Sequence, residues 1–473
     1  MNILALLMAQ ASFLLANQEA LANREIFQPQ EIRPLPGELD RVPMFNSNSP
    51  EKVQSEGILL STFPPQGKQF PAAHLNFAFS GRFNIFAHHV ARVKSPQDPQ
   101  TLYLGLLLKN PTAQPAKVLI LRAVSHLTTN APFVNLPAKQ EDRRNRVYAG
   151  PGSRTAGDVV RGESSLAFPT KVDLQPGETK LLASLPIPAS ALNGRTTLMR
   201  LWTNGSVYAA SLALFARRTP GGQERSPTTA EWQAVLQQGD LVKPRDRSPT
   251  PPGQSGGTFI YGRVAGVSQG SQWQSTLSDG LGSSVLTIPT PGQAFSYPIA
   301  SLNTGTLGTN QIQSAPMLVR YPDTAYRSHG NYGVEYDLTL PLQNRSEQTQ
   351  RVSLLFQTPL KENKLAQSGL RFLQPPDRPV FFRGTVRLQY QDDQGKKQIR
   401  YIHLVQQRGQ RGQPLVTLTL PPGGQRSVSF NLVYPADATP PQVLTIQTAA
   451  NSPVGSTPSS APTTAITSQS LAK

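Results

Sequence analysis

The amino-acid sequence predicts a mainly β protein with two β-sandwich-like (immunoglobulin-like) domains, joined by a linker that holds one short helix. Three observations carry this prediction. The 473 residues include 44 prolines and 36 glycines, and proline removes a helix hydrogen bond, which favours many short strands over long helices. Apolar residues alternate in several segments, and two of these segments recur in the second half of the chain. A stretch rich in proline, glycine and charge separates the halves.

The internal repeat is a strand, an asparagine, a polar turn and a second strand. Alternating leucines at 104–108 end at Asn110, and alternating leucines at 338–342 end at Asn344. A second pair, 174–182 and 420–428, shares a Pro-Gly turn between two strands. Alternate positions of a strand share one face of a sheet, so the repeat predicts half-buried strands in both domains.

Two hairpins are predicted where turn sequences separate strands. Asn204-Gly205 suits a tight turn with two positive φ angles and would join the strands at 198–202 and 207–212. The turn at 392–395 would likewise join the strands that flank it. Each hairpin adds two antiparallel strands to the predicted domains.

The linker at 217–257 contains the predicted helix. Thr228 followed by Glu231 forms a capping box at its start, and Gly239 ends it. Trp232 supplies a large apolar surface, and we expect it to pin the helix to a neighbouring sandwich.

The N-terminus predicts export. An apolar run at 3–16 precedes Ala20-Leu21-Ala22, which has the small-x-small pattern of a signal-peptide cleavage site. The run is too short to span a bilayer, and no later segment approaches that length, so we expect a mature chain without a transmembrane segment in the periplasm or outside the cell. The predicted organisation is a signal peptide at 1–22, β-sandwich domains at 35–216 and 258–448 around the linker at 217–257, and a disordered Ser/Thr/Pro-rich tail at 449–473.

Composition limits the chemistry. The absence of cysteine excludes disulfides, thiolate metal sites and a catalytic thiol. A net charge of +17 attracts anionic partners, and an anionic envelope polysaccharide or lipopolysaccharide is the expected class. No nucleic-acid-binding module is recognisable, so nucleic acid is not an expected partner.

The richest polar and aromatic stretch, residues 321–333, is the first choice for a binding surface. Its aromatic rings would stack on sugar faces and its polar groups would bind hydroxyls. The alternative is an ordered loop whose tyrosines cap one end of a sandwich. The candidate ligand-binding residues are Tyr321, Asp323, Tyr326, Arg327, His329 and Tyr332.

No catalytic residue, metal ligand or cofactor is predicted. His88 and His89 would point to opposite faces of a strand, and the strongest exception would be one of them meeting His126. Asp323, Glu335 and Asp337 offer carboxylates for a glycosidase pair, but such a pair needs a defined separation across a cleft.

Five segments together resemble a known family: residues 45–50, 56–61, 81–89, 261–267 and 328–334. The chain resembles the cyanobacterial domain-of-unknown-function 3370 family from about Pro34 to Thr448. The resemblance implies an exported cyanobacterial protein of unassigned role, and it carries over no site residues.

These observations favour a non-catalytic, exported structural or adhesive protein of the bacterial cell envelope. The alternative is a glycan-binding module or a carbohydrate-active enzyme that uses the loop at 321–333. A deep cleft that gathers two carboxylates or three histidines would favour the enzyme.

Overall fold

Residues 23–92, 100–188, 193–254, 257–280 and 282–450 are described by the structure, a computed structural model. The predicted signal peptide and the tail beyond residue 450 lie outside the described residues. The described part holds 28 strands, two α-helices and one 3-10 helix. The prediction of a mainly β protein is therefore confirmed. None of the helices in these ranges has the length and apolar character that crossing a membrane requires.

The elements are numbered in chain order. The strands are β1 (Arg24–Pro29), β2 (Glu31–Ile32), β3 (Pro43–Ser47), β4 (Lys52–Val53), β5 (Gly57–Ser61), β6 (Phe79–Ala91), β7 (Leu102–Lys109), β8 (Ala116–Leu127), β9 (Lys139–Glu141), β10 (Lys171–Leu174), β11 (Thr179–Ile187), β12 (Gly194–Phe215), β13 (Arg217–Arg218), β14 (Glu224–Arg225), β15 (Ala265–Gln269), β16 (Gln272–Thr276), β17 (Leu286–Thr287), β18 (Ala294–Ile299), β19 (Ala315–Arg320), β20 (Arg327–Ser328), β21 (Glu335–Gln343), β22 (Gln350–Gln357), β23 (Gly369–Gln374), β24 (Val380–Gln391), β25 (Lys397–Gln407), β26 (Pro414–Leu420), β27 (Gln425–Val433) and β28 (Gln442–Thr448). The helices are α1 (Pro151–Arg161), α2 (Thr229–Gln238) and the 3-10 helix Pro71–Ala73.

A twelve-stranded sheet forms the first unit of the fold, and β12 joins its two layers. This strand pairs with β6 and β8 through residues 194–203, and with β5 and β7 through residues 208–215. Apolar side chains from both layers, such as Phe83, Leu106 and Val118, are buried in one core between them.

The second unit consists of a seven-stranded and a five-stranded sheet. Its central strands β21 and β27 lie in the first of these sheets, and β22 and β28 lie in the second. Leu340, Leu354, Phe430 and Ile446 come from these four strands and share one core.

The structure confirms the internal repeat. The strand order β10-β8-β12 in the first unit corresponds to β26-β22-β28 in the second. In each copy the side-chain amide of the asparagine donates to three backbone oxygens, one in the polar turn and two in the Pro-Gly segment. For Asn110 these belong to Gln114 (2.7 Å), Leu174 (3.3 Å) and Gln175 (3.2 Å), and for Asn344 to Gln348 (2.8 Å), Leu420 (2.9 Å) and Pro421 (3.1 Å).

The predicted hairpin at Asn204-Gly205 is wrong, whereas the one at 392–395 is confirmed by the pairing of β24 with β25. Residues 194–215 form one continuous strand with an irregularity between Thr203 and Val207. Each end of this strand has partners in a different layer, so a tight turn would leave β5 and β7 without their neighbour. The side-chain oxygen of Asn204 instead accepts a hydrogen bond from the Lys117 N–H (2.7 Å).

The predicted helix of the linker is present as α2. The Thr228 side chain accepts from the Glu231 N–H, the Glu231 carboxylate accepts from the Thr228 N–H, and the backbone leaves the helix at Gly239. Trp232 is 0% exposed and packs against Leu107 and its neighbours in the first unit. The helix is therefore docked on a sheet, as its sequence predicts.

Strand pairing crosses between the two halves of the chain at several places. Strands β15 and β19 from the second half join β3 of the first unit, while β2 and β9 from the first half pair with β18 and β25. Helix α1 packs against β8 and β12 on one side and β24 and β27 on the other. The Asp437 carboxylate accepts a hydrogen bond from the Ser153 N–H (2.8 Å) in the first turn of α1. Each unit therefore takes elements from both halves.

Candidate binding groove

The loop at 321–333 is held in place by Asn331. Its side chain is fully buried, and its amide donates to the Gln313 oxygen (2.8 Å) and to the Tyr336 hydroxyl (3.0 Å). Its own oxygen accepts from the Ala315 N–H (2.9 Å). Asn331 has a φ of 48°, a left-handed conformation that asparagine tolerates better than most residues. These bonds fix the backbone that carries His329 and Tyr332.

Tyr332 is fixed on both sides. Its hydroxyl donates to the Ala438 oxygen (2.9 Å), and its ring stacks on Tyr434 with centroids 6.3 Å apart. Burial raises the pKa of Tyr332 to about 12, so its hydroxyl stays neutral. A methyl group on Gly330 would lie 2.4 Å from the Tyr332 ring, so only glycine lets the loop pass this close.

Two neighbouring cavities meet at His329, and we call them together the His329 groove. The larger has a volume of about 690 Å³ and the smaller of about 200 Å³. Aromatic, amide and cationic side chains line both cavities. The larger is lined by Gln254, Phe259, Asn303, Met317, Tyr326, Arg327 and Asn363 among others, and the smaller by Asn48, Tyr261, Arg263, Tyr332 and Lys361 among others.

His329 lines both cavities and lies edge-on to the rings of Tyr261, at 4.7 Å, and Phe259, at 6.3 Å. Burial, together with the positive charges of Arg327 and Lys361, lowers the pKa of His329 to about 4. The imidazole is therefore neutral at neutral pH. The positive charge of the groove comes from its arginines and lysine.

The cations of the groove are held at defined positions. The Lys361 ammonium donates to the Tyr261 hydroxyl (2.9 Å), and Arg327 donates to the Ser314 oxygen (3.1 Å). Arg263 pairs with Glu51, which lies outside the lining of both cavities. None of the described residues that line the two cavities is an aspartate or a glutamate. The groove therefore presents Arg327 and Lys361 to a ligand without a lining carboxylate, while Glu51 offsets the charge of Arg263 from outside the lining.

The structure brings four of the six candidate ligand-binding residues to the groove. Tyr326, Arg327, His329 and Tyr332 line it, whereas Tyr321 and Asp323 do not. The fully buried Tyr321 donates from its hydroxyl to the Ala73 oxygen (2.8 Å) and accepts from the Ser61 N–H (3.0 Å).

Asp323 binds a neighbouring cation. Its carboxylate accepts two hydrogen bonds from Arg245, at 2.7 and 3.2 Å. Both Asp323 and Tyr321 have protein partners, so within the described residues their contacts serve the fold.

Of the carboxylates considered for a glycosidase pair, Asp323 lies apart from Glu335 and Asp337. Glu335 accepts from Arg200 (2.5 Å) and from Asn431 (2.6 Å), whereas Asp323 pairs with Arg245. Burial and the negative charge of Glu335 raise the pKa of Asp337. No contact of the described residues joins Asp323 to the other two.

The histidines considered as metal ligands each have a different hydrogen-bond partner. His88 lies 2.8 Å from the Thr196 hydroxyl, His89 lies 2.9 Å from the Ser47 hydroxyl, and His126 lies 2.6 Å from Asp158. In the described part of the chain, no three histidines or carboxylates converge as a metal site would require.

Sequence reasoning missed the groove residues that lie outside the loop at 321–333, notably Asn48, Tyr261 and Lys361. A signal for two of them was present, because Asn48 and Tyr261 fall in segments that carried the family resemblance. Strands β3 and β15 bring those segments together by direct pairing. Lys361 lies in no such segment, and only the fold reveals its position.

Comparisons with known proteins give a family and little else. A family model described as "Protein of unknown function (DUF3370)" matches residues 30–448. No curated protein matches the chain. Among solved structures, one described as the structure of the Macrobrachium rosenbergii nodavirus is 10% identical over 91% of each chain, with a TM-score of 0.11. A TM-score this low carries no argument about fold or function.

Proposed function

The chain belongs to the DUF3370 family, whose function is unknown, and we propose that it is an exported, non-catalytic adhesive protein that binds an anionic polysaccharide of the bacterial cell envelope through the His329 groove. The proposal includes that the two units are immunoglobulin-like domains, which form a scaffold that carries binding loops at its ends. The matching strand orders of the two units support that assignment.

The observation that carries the proposal is the composition of the groove wall. Arg263, Arg327 and Lys361 line it together with aromatic rings and side-chain amides, and no lining residue of the described chain is acidic. Cations bind carboxylate or sulfate groups, aromatic rings cover the apolar faces of sugars, and amides bind hydroxyls. An acidic glycan presents all three kinds of group.

The same wall argues for binding over hydrolysis. Glycoside hydrolysis by the common route needs two carboxylic acids that flank the scissile bond. The lining residues of the groove supply none. Glu335 lines a different cleft together with Asp40, and both carboxylates are engaged by the protein. Glu335 accepts from Arg200 and Asn431, and Asp40 accepts from the N–H and the hydroxyl of Ser271.

Calorimetric titration with polygalacturonate, an acidic polysaccharide, and dextran, a neutral one, tests the proposal. We expect binding of polygalacturonate alone. The variants Arg327→Gln and Lys361→Gln should each weaken it by about ten- to a hundredfold, because each removes a charge-assisted bond worth about 1.5–3 kcal/mol.

Arg143→Gln is the matched control, since it removes one charge from a side chain that is 87% exposed and lines neither cavity. An equal loss of affinity in this control would show that net charge alone drives binding and would contradict the role of the groove. Export is tested separately by N-terminal sequencing of protein from the source cells, where an intact Met1 would contradict it.

A further inference from the structure

We propose that the smaller cavity of the His329 groove binds a pair of free hydroxyl groups on one sugar unit, through the side-chain oxygen of Asn48 and Nδ1 of His329. This inference rests on the proposed function and makes it more specific. It assigns recognition of the sugar itself to the smaller cavity and recognition of the negative charge to the cations of the groove.

Asn48 is placed in the cavity wall by the strand that precedes it. Its backbone N–H donates to the Val264 oxygen (2.8 Å), just beyond the pairing of β3 with β15. The side chain is 4% exposed, and its Oδ1 is buried without a hydrogen-bond partner among the described residues. A buried acceptor without a partner costs about 1–3 kcal/mol, so a ligand group that donates to it is favoured over one that cannot.

His329 supplies a second atom of the same kind. Its Nδ1 is buried and has no hydrogen-bond partner in the described part of the chain. Asn48 and His329 line the same cavity of about 200 Å³, which exceeds the roughly 10–15 Å³ that a single water requires. The cavity therefore has room for a small polar group of a ligand beside the rings of Tyr261 and Tyr332.

The chemistry of the two atoms selects a hydroxyl. An amide oxygen only accepts hydrogen bonds, and an ionised carboxylate or sulfate has no hydrogen to donate to it. A ligand ammonium could donate, but Arg263 and Lys361 line the same cavity and would repel it. A neutral hydroxyl donates to Asn48, and a second hydroxyl can donate to or accept from the neutral imidazole. Two neighbouring hydroxyls on one sugar ring meet both requirements.

The test compares two polymers that share carboxylates and differ in hydroxyls. Polygalacturonate carries free hydroxyls on each sugar unit, and polyacrylate carries none. Calorimetric titration of the full chain should show tighter binding of polygalacturonate, by about tenfold per carboxylate. Asn48→Leu and His329→Phe keep the approximate shape of each side chain, and each should lower this preference by weakening the binding of polygalacturonate more than that of polyacrylate.

The outcomes separate this inference from the proposed function. Weaker binding of both polymers by Arg327→Gln, with an unchanged preference in both Asn48→Leu and His329→Phe, would uphold the groove and overturn the hydroxyl site. A wild-type chain that binds neither polymer would overturn the proposed function and this inference with it. Circular dichroism of each variant checks that it folds, and the two independent variants guard against the failure of one.

Discussion

Replacing Asn344 by alanine removes the residue that ties the polar turn to the Pro-Gly segment in the second copy of the repeat. The side chain is fully buried. It donates to the oxygens of Gln348, Leu420 and Pro421, and it accepts from the N–H and the hydroxyl of Ser346 at 3.0 and 2.8 Å. We expect a large loss of stability from this one substitution.

The magnitude follows from those five hydrogen bonds. At about 1 kcal/mol each, they set an upper bound of about 5 kcal/mol on the lost free energy of unfolding. The bond to the Leu420 oxygen is buried, whereas the others are partly buried, so water can replace some of them in the variant. We therefore expect a loss of about 3 kcal/mol.

The repeat provides its own matched comparison. Asn110 makes the same five bonds in the first unit, with Thr112 in the place of Ser346. Urea denaturation followed by circular dichroism should show losses for Asn110→Ala and Asn344→Ala that agree within about 1 kcal/mol. A loss below about 1 kcal/mol in both variants would refute the assignment of these bonds as the ties of the repeat.

Three further predictions follow from the packing. Gly105→Ala places a methyl group 2.7 Å from the Trp232 ring and should lower the free energy of unfolding, measured by urea denaturation, by about 2 kcal/mol. The control Gly205→Ala, whose methyl group would have its nearest contact at 3.4 Å, should lower it less, and equal losses would contradict the docking of α2. A protease cut within 217–257 should leave fragments that co-elute on gel filtration, because strands cross between the halves; separate elution would contradict it. Stability should fall as the pH drops from about 6.5, the pKa of histidine in the unfolded chain, to about 4, because burial lowers the folded-state pKa of four histidines to about 4. Between these two pH values the unfolded chain binds protons that the folded protein does not. The variant His403→Phe should show a shallower fall, and a flat profile would exclude the effect. The four are His74, His89, His329 and His403.

Local signals in the sequence predicted what local interactions decide. The capping box of Thr228 and Glu231 forms because its hydrogen bonds join residues three positions apart. The repeat of Asn110 and Asn344 could be found because each asparagine binds a turn four residues away, and its distant partners also repeat in sequence. The alternating leucines at 338–342 are all buried, as strand periodicity requires.

The Asn204-Gly205 turn shows where local signals fail. The dipeptide favours a hairpin, but the strands on either side of it pair with two different layers, and those pairings outweigh the preference of two residues. No property of the segment itself reveals that β5 and β7 need its second half as a neighbour.

The sequence alone determined the mainly β class, the repeat, the linker helix and the loop that carries His329, because each depends on periodicity or on bonds between close neighbours. Only the tertiary structure decided which side chains share the groove. Asn48, Tyr261 and Lys361 come from three distant segments, and the pairing of β3 with β15 brings the first two together across nearly half of the chain. Such contacts depend on which strands become neighbours in a sheet, and that choice is made by the burial of the whole core.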